Sequence, residues 1–453
     1  MRTCAVTADE TVSKSADSNS LRPMAVIIGP PVLEESSTES DSELGIRDSD
    51  RRQNSTLKIE NWRVTTNPLA QHYSRFRVHE RLLLTGHSHQ AWPDVGFEGQ
   101  QQAWLDAAEF VDDKWERAAA QAAAVRAGFA RIIGDSAENI ALGQNTHELV
   151  TRWLSALPLL THRRIVTTDG EFHSIRRQVD RLAEEGIAVV NVPAHPADTL
   201  VERLIASLDS HTACVMVSSV LFETAEIVPG LDRLADACRL RGIPLLVDAY
   251  HQVNVVPLDL RRAGLDDAFV TGGGYKYCQL GEGNCFLRVP PGTHMRPVLT
   301  GWFAEFDALE DGGEGSVAYG AGAAAFGGAT YDVTSQYRAA AVFAFHARHE
   351  LTPERLRAIS QHQVGLLKTE FERMDLAPSL AHVEPMPDDR RAGFLAIRTG
   401  HAKAVVRLLR DRGVYIDSRR DILRVGPAPY LRDDQLRATI AAIGDVLNPR
   451  VAS

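Results

Sequence analysis

Between residues 140 and 289 short apolar runs alternate with amphipathic stretches, and this alternation limits the possible folds more than any other feature of the chain. The runs are Ile140–Leu142, Ile165–Thr168, Ala188–Val192, Cys214–Val220, Leu245–Asp248, Ala268–Thr271 and Cys285–Val289. Runs this short, bounded by turn residues, read as strands buried on both faces. Between several of them Arg176–Glu185, Leu200–Leu208 and Leu231–Leu240 keep a helical spacing. Alternating strand and helix predict an α/β domain with a mostly parallel sheet covered on both sides.

Upstream, the spacing of Trp104, Ala107, Ala108, Val111, Trp115, Ala118 and Ala122 predicts one long helix over about 100–133. The Gly/Ala-rich stretch from Gly312 to Gly328 breaks the alternation and reads as a loop leading out of the large domain. Helical periods at Tyr337–His349, Glu354–Met374, 402–412 and Asp433–Leu447, interleaved with strands at Phe394–Arg398, Val414–Ile416 and Leu423–Val425, predict a small α+β domain. The expected organisation is an extension over 1–55, a segment near the active site over 56–100, a large domain over 101–320 and a small C-terminal domain over 321–453.

Residues 1–55 are rich in Ser, Asp and Glu, as from Glu34 to Glu43, with too few large side chains to offset the entropy of ordering. This extension is expected to be disordered. It lacks the apolar block of a secretory signal, and no apolar run of the whole chain reaches the eighteen or so residues of a membrane helix. With 49 basic against 59 acidic residues the net charge is −10, so nothing attracts the chain to nucleic acid or an anionic membrane. Five cysteines, none in a CxxC pair, fit reduced thiols in a cytoplasmic protein rather than a disulfide framework or zinc site.

The chemistry concentrates in Pro244-Leu-Leu-Val-Asp248-Ala-Tyr-His251 and, after Asp266–Thr271, in Gly272-Gly-Gly-Tyr275-Lys276-Tyr277. Asp248 and Lys276 follow apolar strands at the edge where open α/β sheets place their ligands. A strand-ending Asp alone is often a cap, and a lone Lys is usually a solvated charge. Together, in this order, they fit pyridoxal 5'-phosphate (PLP): a carboxylate to keep the pyridine nitrogen protonated, and a lysine to form the Schiff base and then serve as a base of lowered pKa. The three glycines allow close approach of backbone and cofactor.

With these motifs the chain resembles the fold type I PLP enzymes of aminotransferase class V and, within them, kynureninase, over about Leu82–Leu447. Asp248-Ala-Tyr-His251 is similar to the family's Asp-x-x-His, and Tyr275-Lys276-Tyr277 to its Tyr-Lys-Tyr. Gly301-Trp302-Phe303 and Leu423-Arg424-Val425-Gly-Pro-Ala-Pro-Tyr430 are similar to the motifs that mark kynureninase. The resemblance implies a fold type I large domain with a small α+β domain, a homodimer with shared active sites, and an amino-acid substrate. It also implies Asn145 and Thr146 at the cofactor phosphate, where a helix start would offer free N–H groups; a plain cap is the alternative for Thr146, and both roles can hold. Phe172 would stack on the pyridine ring, with Ser218, His251 and Tyr275 also at the cofactor, while Trp302 and Thr330 would reach the phosphate from the neighbouring subunit. Arg424 would grip the substrate's α-carboxylate, a task suited to a planar fork of donors.

The pattern breaks in places. Ile175 stands where kynureninases carry an acidic residue, and Glu223 where a tyrosine binds phosphate, so Glu223 is expected to point away. Ala329-Thr-Tyr-Asp332 lacks the usual proline turn. Gly86-His87-Ser88-His89-Gln90-Ala91-Trp92-Pro93 replaces a Gly-Asn-Ser-Leu-Gly-like stretch, and its two histidines and tryptophan are candidates for binding a different side chain. The expected activity is hydrolytic Cβ–Cγ cleavage of L-kynurenine or a relative, with no metal. The alternative is a class V lyase, desulfurase or aminotransferase acting on another amino acid.

Overall fold

The structure, a computed structural model, describes residues 67–309 and 315–448. The expected extension over 1–55, with Cys4, and the first part of the 56–100 segment lie outside the described residues. Strand β1 (Leu82–Leu83) comes first. The large sheet follows with β2 (Ile140–Gly143), β3 (Arg164–Thr168), β4 (Ala188–Val192), β5 (Thr212–Ser218), β6 (Leu245–Asp248), β7 (Phe269–Gly273) and β8 (Cys285–Arg288). All seven apolar runs are therefore strands. Their order is β2-β8-β7-β6-β5-β3-β4, parallel throughout except β8, which is antiparallel to both neighbours.

The register sets Ser218 of β5 beside Asp248 of β6, and Asp248 beside Thr271 of β7. Strands β5 and β6 thus end at one level and β7 runs two residues beyond it, so the C-terminal ends of three adjacent parallel strands lie together.

In place of the single helix expected over 100–133 there are two, α1 (Val95–Phe110) and α2 (Lys114–Ile133). The break falls at Val111, whose φ of 51° no helix accommodates. Helices α3 (Thr146–Leu154), α4 (His173–Glu184), α5 (Leu200–Ala206) and α6 (Leu231–Arg239) then cover the sheet. One face buries Val166, Val215, Val217 and Val247 under α5 and α6, and the other buries Ile165, Cys214, Met216 and Leu246 against Trp153 of α3 and Val179 of α4. Such two-sided burial explains why the strands read as continuous apolar runs.

The C-terminal part holds α7 (Thr334–Arg348), α8 (Pro353–Glu372), β9 (His382–Val383), β10 (Leu395–Arg398), α9 (Ala402–Asp411), β11 (Val414–Tyr415), β12 (Asp417–Arg419), β13 (Ile422–Val425) and α10 (Asp433–Leu447). Strands β12-β13-β10-β9 form an antiparallel sheet. A separate apolar cluster, including Leu367, Leu395, Val405, Leu423 and Ile443, packs it against its helices. This cluster also takes in Tyr73, Val78 and Leu84, because β1 pairs in parallel with β11. Among the described residues no helix is long and apolar enough to cross a membrane.

Candidate active site

The converging strand ends and two helix starts enclose a cavity of about 250 Å³. Asn145, Thr146, Phe172, Ser218, Asp248, His251, Tyr275 and Lys276 all line it. Residues spread over 132 positions of sequence therefore meet because the parallel sheet delivers each at the same edge.

At one end stands the start of α3. Asn145, extended at φ −155°, caps the helix by accepting the Glu148 N–H on its side chain at 2.8 Å. A cap of this kind stabilises a helix by about 1 kcal/mol. It leaves other first-turn N–H groups and the positive end of the helix dipole toward the cavity, a setting suited to a phosphate. Gln144 and His147 flank it.

At the other end lie Asp248 and Lys276. The Asp248 Oδ1 accepts the Tyr250 N–H at 2.8 Å. Burial raises the carboxyl above its ordinary range, while that N–H and the Lys276 charge pull it back. Burial lowers the Lys276 amine to about 7, against the opposing pull of Asp248. The Lys276 Nζ lies 2.8 Å from His251 Nε2 and 5.1 Å from the centre of the Phe172 ring. Burial first, and the Lys276 and Arg424 charges next, hold His251 well below the ordinary histidine value, so its ring is neutral. The His251 Nδ1 is buried without a protein partner. A lysine amine near neutrality, a buried carboxylate and an unpartnered ring nitrogen, with a helix start opposite, are a donor set that fits PLP.

The Ser218 hydroxyl is already engaged: it donates to Glu171 Oε2 at 2.6 Å, and the Ser218 N–H donates to Oε1 at 3.1 Å. The Thr168 hydroxyl donates to the same oxygen at 2.6 Å. Burial raises Glu171 to about 7 despite these bonds. Sequence reasoning passed over Glu171, although it directly precedes Phe172 in Glu171-Phe-His-Ser174.

Trp302 and Thr330 lie outside this cavity. They line a second one of about 1160 Å³, and Gln144 belongs to the walls of both. Trp302 is 44% exposed. Arg424 stands behind the cavity wall: its Nη1 donates to the carbonyl of Phe222 at 2.8 Å, and the Phe222 side belongs to the lining. Asp417, also unmarked by sequence reasoning, grips the other edge of Arg424.

The departures sort themselves by environment. Ile175 is 1% exposed within an apolar cluster, so no charge could sit there at low cost. Glu223 pairs with Arg420 at 3.5 Å and is absent from the cavity lining, as charge repulsion required. Within 86–93, Trp92 packs on Arg338 and Phe76, and His87 is fully buried against Asp417, so neither meets a substrate side chain in this arrangement. His89 stacks on the lining residue Tyr275 with ring centres 5.0 Å apart.

Residues 356–443 match the family model of the kynureninase C-terminal domain. Over 334 residues the chain is 27% identical to a kynureninase of Deinococcus radiodurans, covering 72% of this chain and 78% of that one. Over 346 residues it is 22% identical to an uncharacterized aminotransferase of Bacillus subtilis, covering 76% and 88%. Among solved structures, a C-DES mutant with glycine covalently linked to its PLP cofactor superposes with a TM-score of 0.72 at 19% identity, over 83% of this chain and 99% of that one. An apo cysteine desulfurase of Thermococcus onnurineus gives 0.71 at 16% identity, over 85% and 99%. The fold is that of the fold type I PLP enzymes.

Proposed function

We propose that this kynureninase-like chain of the fold type I class is a PLP-dependent hydrolase that cleaves the Cβ–Cγ bond of L-kynurenine or a close relative, releasing an anthranilate-type product and L-alanine. The observation that carries the PLP part is the buried Lys276 amine, lowered to about 7, in one cavity with Asp248 and the start of α3. The kynurenine part is supported by the family match over 356–443, which contains Arg424, and by the kynureninase relatives.

When bound, PLP supplies the electron sink that lets bonds at an amino acid's Cα and beyond its Cβ break. The residues of the chain provide the rest. Asp248 meets the pyridine nitrogen and keeps it protonated. Asn145 and Thr146 bind the phosphate through the helix start, and Phe172 covers the ring. Lys276, near neutrality, takes the substrate's Cα proton and returns one later, as a base matched to its working pH. Arg424 holds the α-carboxylate. Water adds to the side-chain ketone, the Cβ–Cγ bond breaks, the acyl half leaves as the carboxylic acid and Cβ gains a proton to give alanine. The active unit is a homodimer in which Trp302 and Thr330 approach the partner's phosphate site.

A lyase or aminotransferase acting on another amino acid is the second reading, favoured by His89 stacked on the lining residue Tyr275 and by the desulfurase-like neighbours. A desulfurase relay is less well supported. Cys214, Cys238, Cys278 and Cys285 are all buried, and burial raises every one of these thiols away from the reactive thiolate.

The test is to record the absorbance of the PLP-loaded protein and of Lys276→Ala, then add L-kynurenine and assay anthranilate and alanine. Yellow absorbance lost in the variant, with both products formed by the parent, is expected. Absorbance without cleavage would move the search to other amino acids; absorbance unaffected by Lys276→Ala would overturn the cofactor assignment.

A further inference from the structure

Arg424 is held in an unusual number of ways for a residue that has to receive a ligand. It lies on β13 directly across from Asp417 on β12. The Arg424 Nε donates to Asp417 Oδ1 at 2.8 Å, and Nη2 donates to Oδ2. The carboxylate thus takes the side edge of the guanidinium in a two-bond fork. Nη1 donates to the Phe222 carbonyl. Three of the five guanidinium N–H groups are occupied, and two remain, on Nη1 and Nη2. The free Nη2 proton lies on the terminal edge, where a second planar carboxylate would bind, and Nη1 adds its own terminal-edge proton when the Phe222 carbonyl takes the outer one.

Asp417 is itself held from behind. His87 Nε2 lies 2.8 Å from Asp417 Oδ1, and His87 Nδ1 is buried without a partner, so Nε2 carries the proton and donates it. The His87 ring is 4.7 Å from that of Phe394. Its place depends on Gly426, two residues beyond Arg424: a side-chain carbon there would overlap His87 Nδ1. Backbone bonds from Gly86 N to Gly426 O and from Gly426 N to Leu84 O, both 2.8 Å, fix the two segments together. The Gly-His-Ser-His segment and the Arg-Val-Gly motif are one assembly.

The charge balance still favours an incoming anion. Arg419, two residues along β12 from Asp417 and so on the same face, brings its Nη1 within 3.7 Å of Asp417 Oδ2. Two guanidiniums share one carboxylate while His87 is neutral, which leaves the hairpin a net positive charge.

We infer that His87 and Asp417 are a positioning pair that fixes the side edge of the Arg424 guanidinium, so that its terminal fork meets the α-carboxylate of an amino-acid substrate. This rests on the function proposed above and names residues that it leaves unassigned. A displacement of about 1 Å in such a clamp can cost on the order of 100-fold, so a loosened Arg424 weakens carboxylate recognition without touching the cofactor.

The test is a spectral titration of the Lys276-dependent absorbance in PLP-loaded parent, Asp417→Ala, His87→Ala and His87→Gln. The probes are L-alanine and ethylamine, the same amine without its carboxylate. Asp417→Ala and His87→Ala are expected to keep the absorbance, to bind ethylamine within about twofold of the parent, and to bind L-alanine roughly 10- to 100-fold more weakly. His87→Gln, which retains an N–H donor, is expected to recover most of that loss. If Asp417→Ala does not fold, the two His87 variants decide the matter. L-alanine binding unchanged or tighter, or both probes weakened alike, overturns the positioning pair alone. A parent without Lys276-dependent absorbance overturns the proposed function and the pair with it.

Discussion

The Lys276 Nζ and the His251 Nε2 face each other at 2.8 Å inside a buried cavity, and burial drives both groups toward their neutral forms. An unfolded lysine is charged up to about pH 10.4, whereas this one is neutral above about 7. Between those values the unfolded chain binds more protons, so this lysine's contribution to stability improves as pH rises.

In PLP-stripped protein, Lys276→Met is therefore expected to be more stable than the parent at pH 7, by on the order of a few kcal/mol. The gap should close as pH climbs toward 10. Urea unfolding of both proteins across this range checks it, and a gap that does not change with pH would refute the assignment of a depressed amine.

Glu171 predicts the opposite slope. Its folded value of about 7 exceeds the ordinary carboxyl value, so the folded state binds more protons between about pH 4.5 and 7 and stability falls as pH rises through that window. Glu171→Gln should flatten this part of the stability–pH curve. Ser218→Ala removes a donor from a buried carboxyl and is expected to cost about 1–3 kcal/mol at pH 7, read by the same denaturant titrations.

Asp248→Asn keeps the shape of the cavity floor while removing the charge. It should retain the yellow absorbance but slow turnover by roughly 10²–10³, the scale on which a single electrostatic partner in a buried site acts. Steady-state assays on whichever amino acid the parent turns over would show it; a loss under tenfold would detach Asp248 from the pyridine nitrogen.

Gly128 sits within α2 against the buried Phe343 ring of α7, and an added methyl would overlap that ring. Alanine gains about 1 kcal/mol of helix propensity over glycine, yet overpacking a core costs about 1–3 kcal/mol. Because Phe343 is itself packed in the core, the clash should prevail and Gly128→Ala should lower the unfolding midpoint. A raised midpoint would show that α2 and α7 can separate freely.

The large sheet was legible in the sequence because its central strands are buried on both faces and appear as uninterrupted apolar runs, while the edge strand β4 is partly exposed yet keeps an apolar composition. Asp248 and Lys276 stood out only as a pair, each ordinary alone, following neighbouring apolar runs in this order, and both line the same cavity. The break at Val111 was hidden, since Ala-rich stretches on either side share one helical period and only a backbone angle separates them. Glu171 and Asp417 were also hidden. Each acts through a partner distant in sequence or across a hairpin, Ser218 in one case and Arg424 and His87 in the other, and no local pattern signals a buried carboxyl. His87 and Trp92 looked like substrate contacts because their segment is close to the site in sequence pattern, yet their side chains turn into the protein.

The pairing of β1 with β11, and the link from Thr85 to Gly426, bring the earliest described strand onto one of the last. The large sheet is in effect an insertion between β1 and its partner β11, which form a two-stranded sheet of their own. A ribosome must release residue 426 before residues 82–86 can complete their pairings, so these contacts are not available to the sheet while the chain is being made. Closing a loop of over three hundred residues costs little more than closing one half as long, but it comes late, and until it does the His87 side of the Arg424 clamp cannot exist. Recognition of a carboxylate by this clamp thus depends on the two ends of the described chain meeting, whereas the cofactor-facing residues 145–276 lie wholly between them.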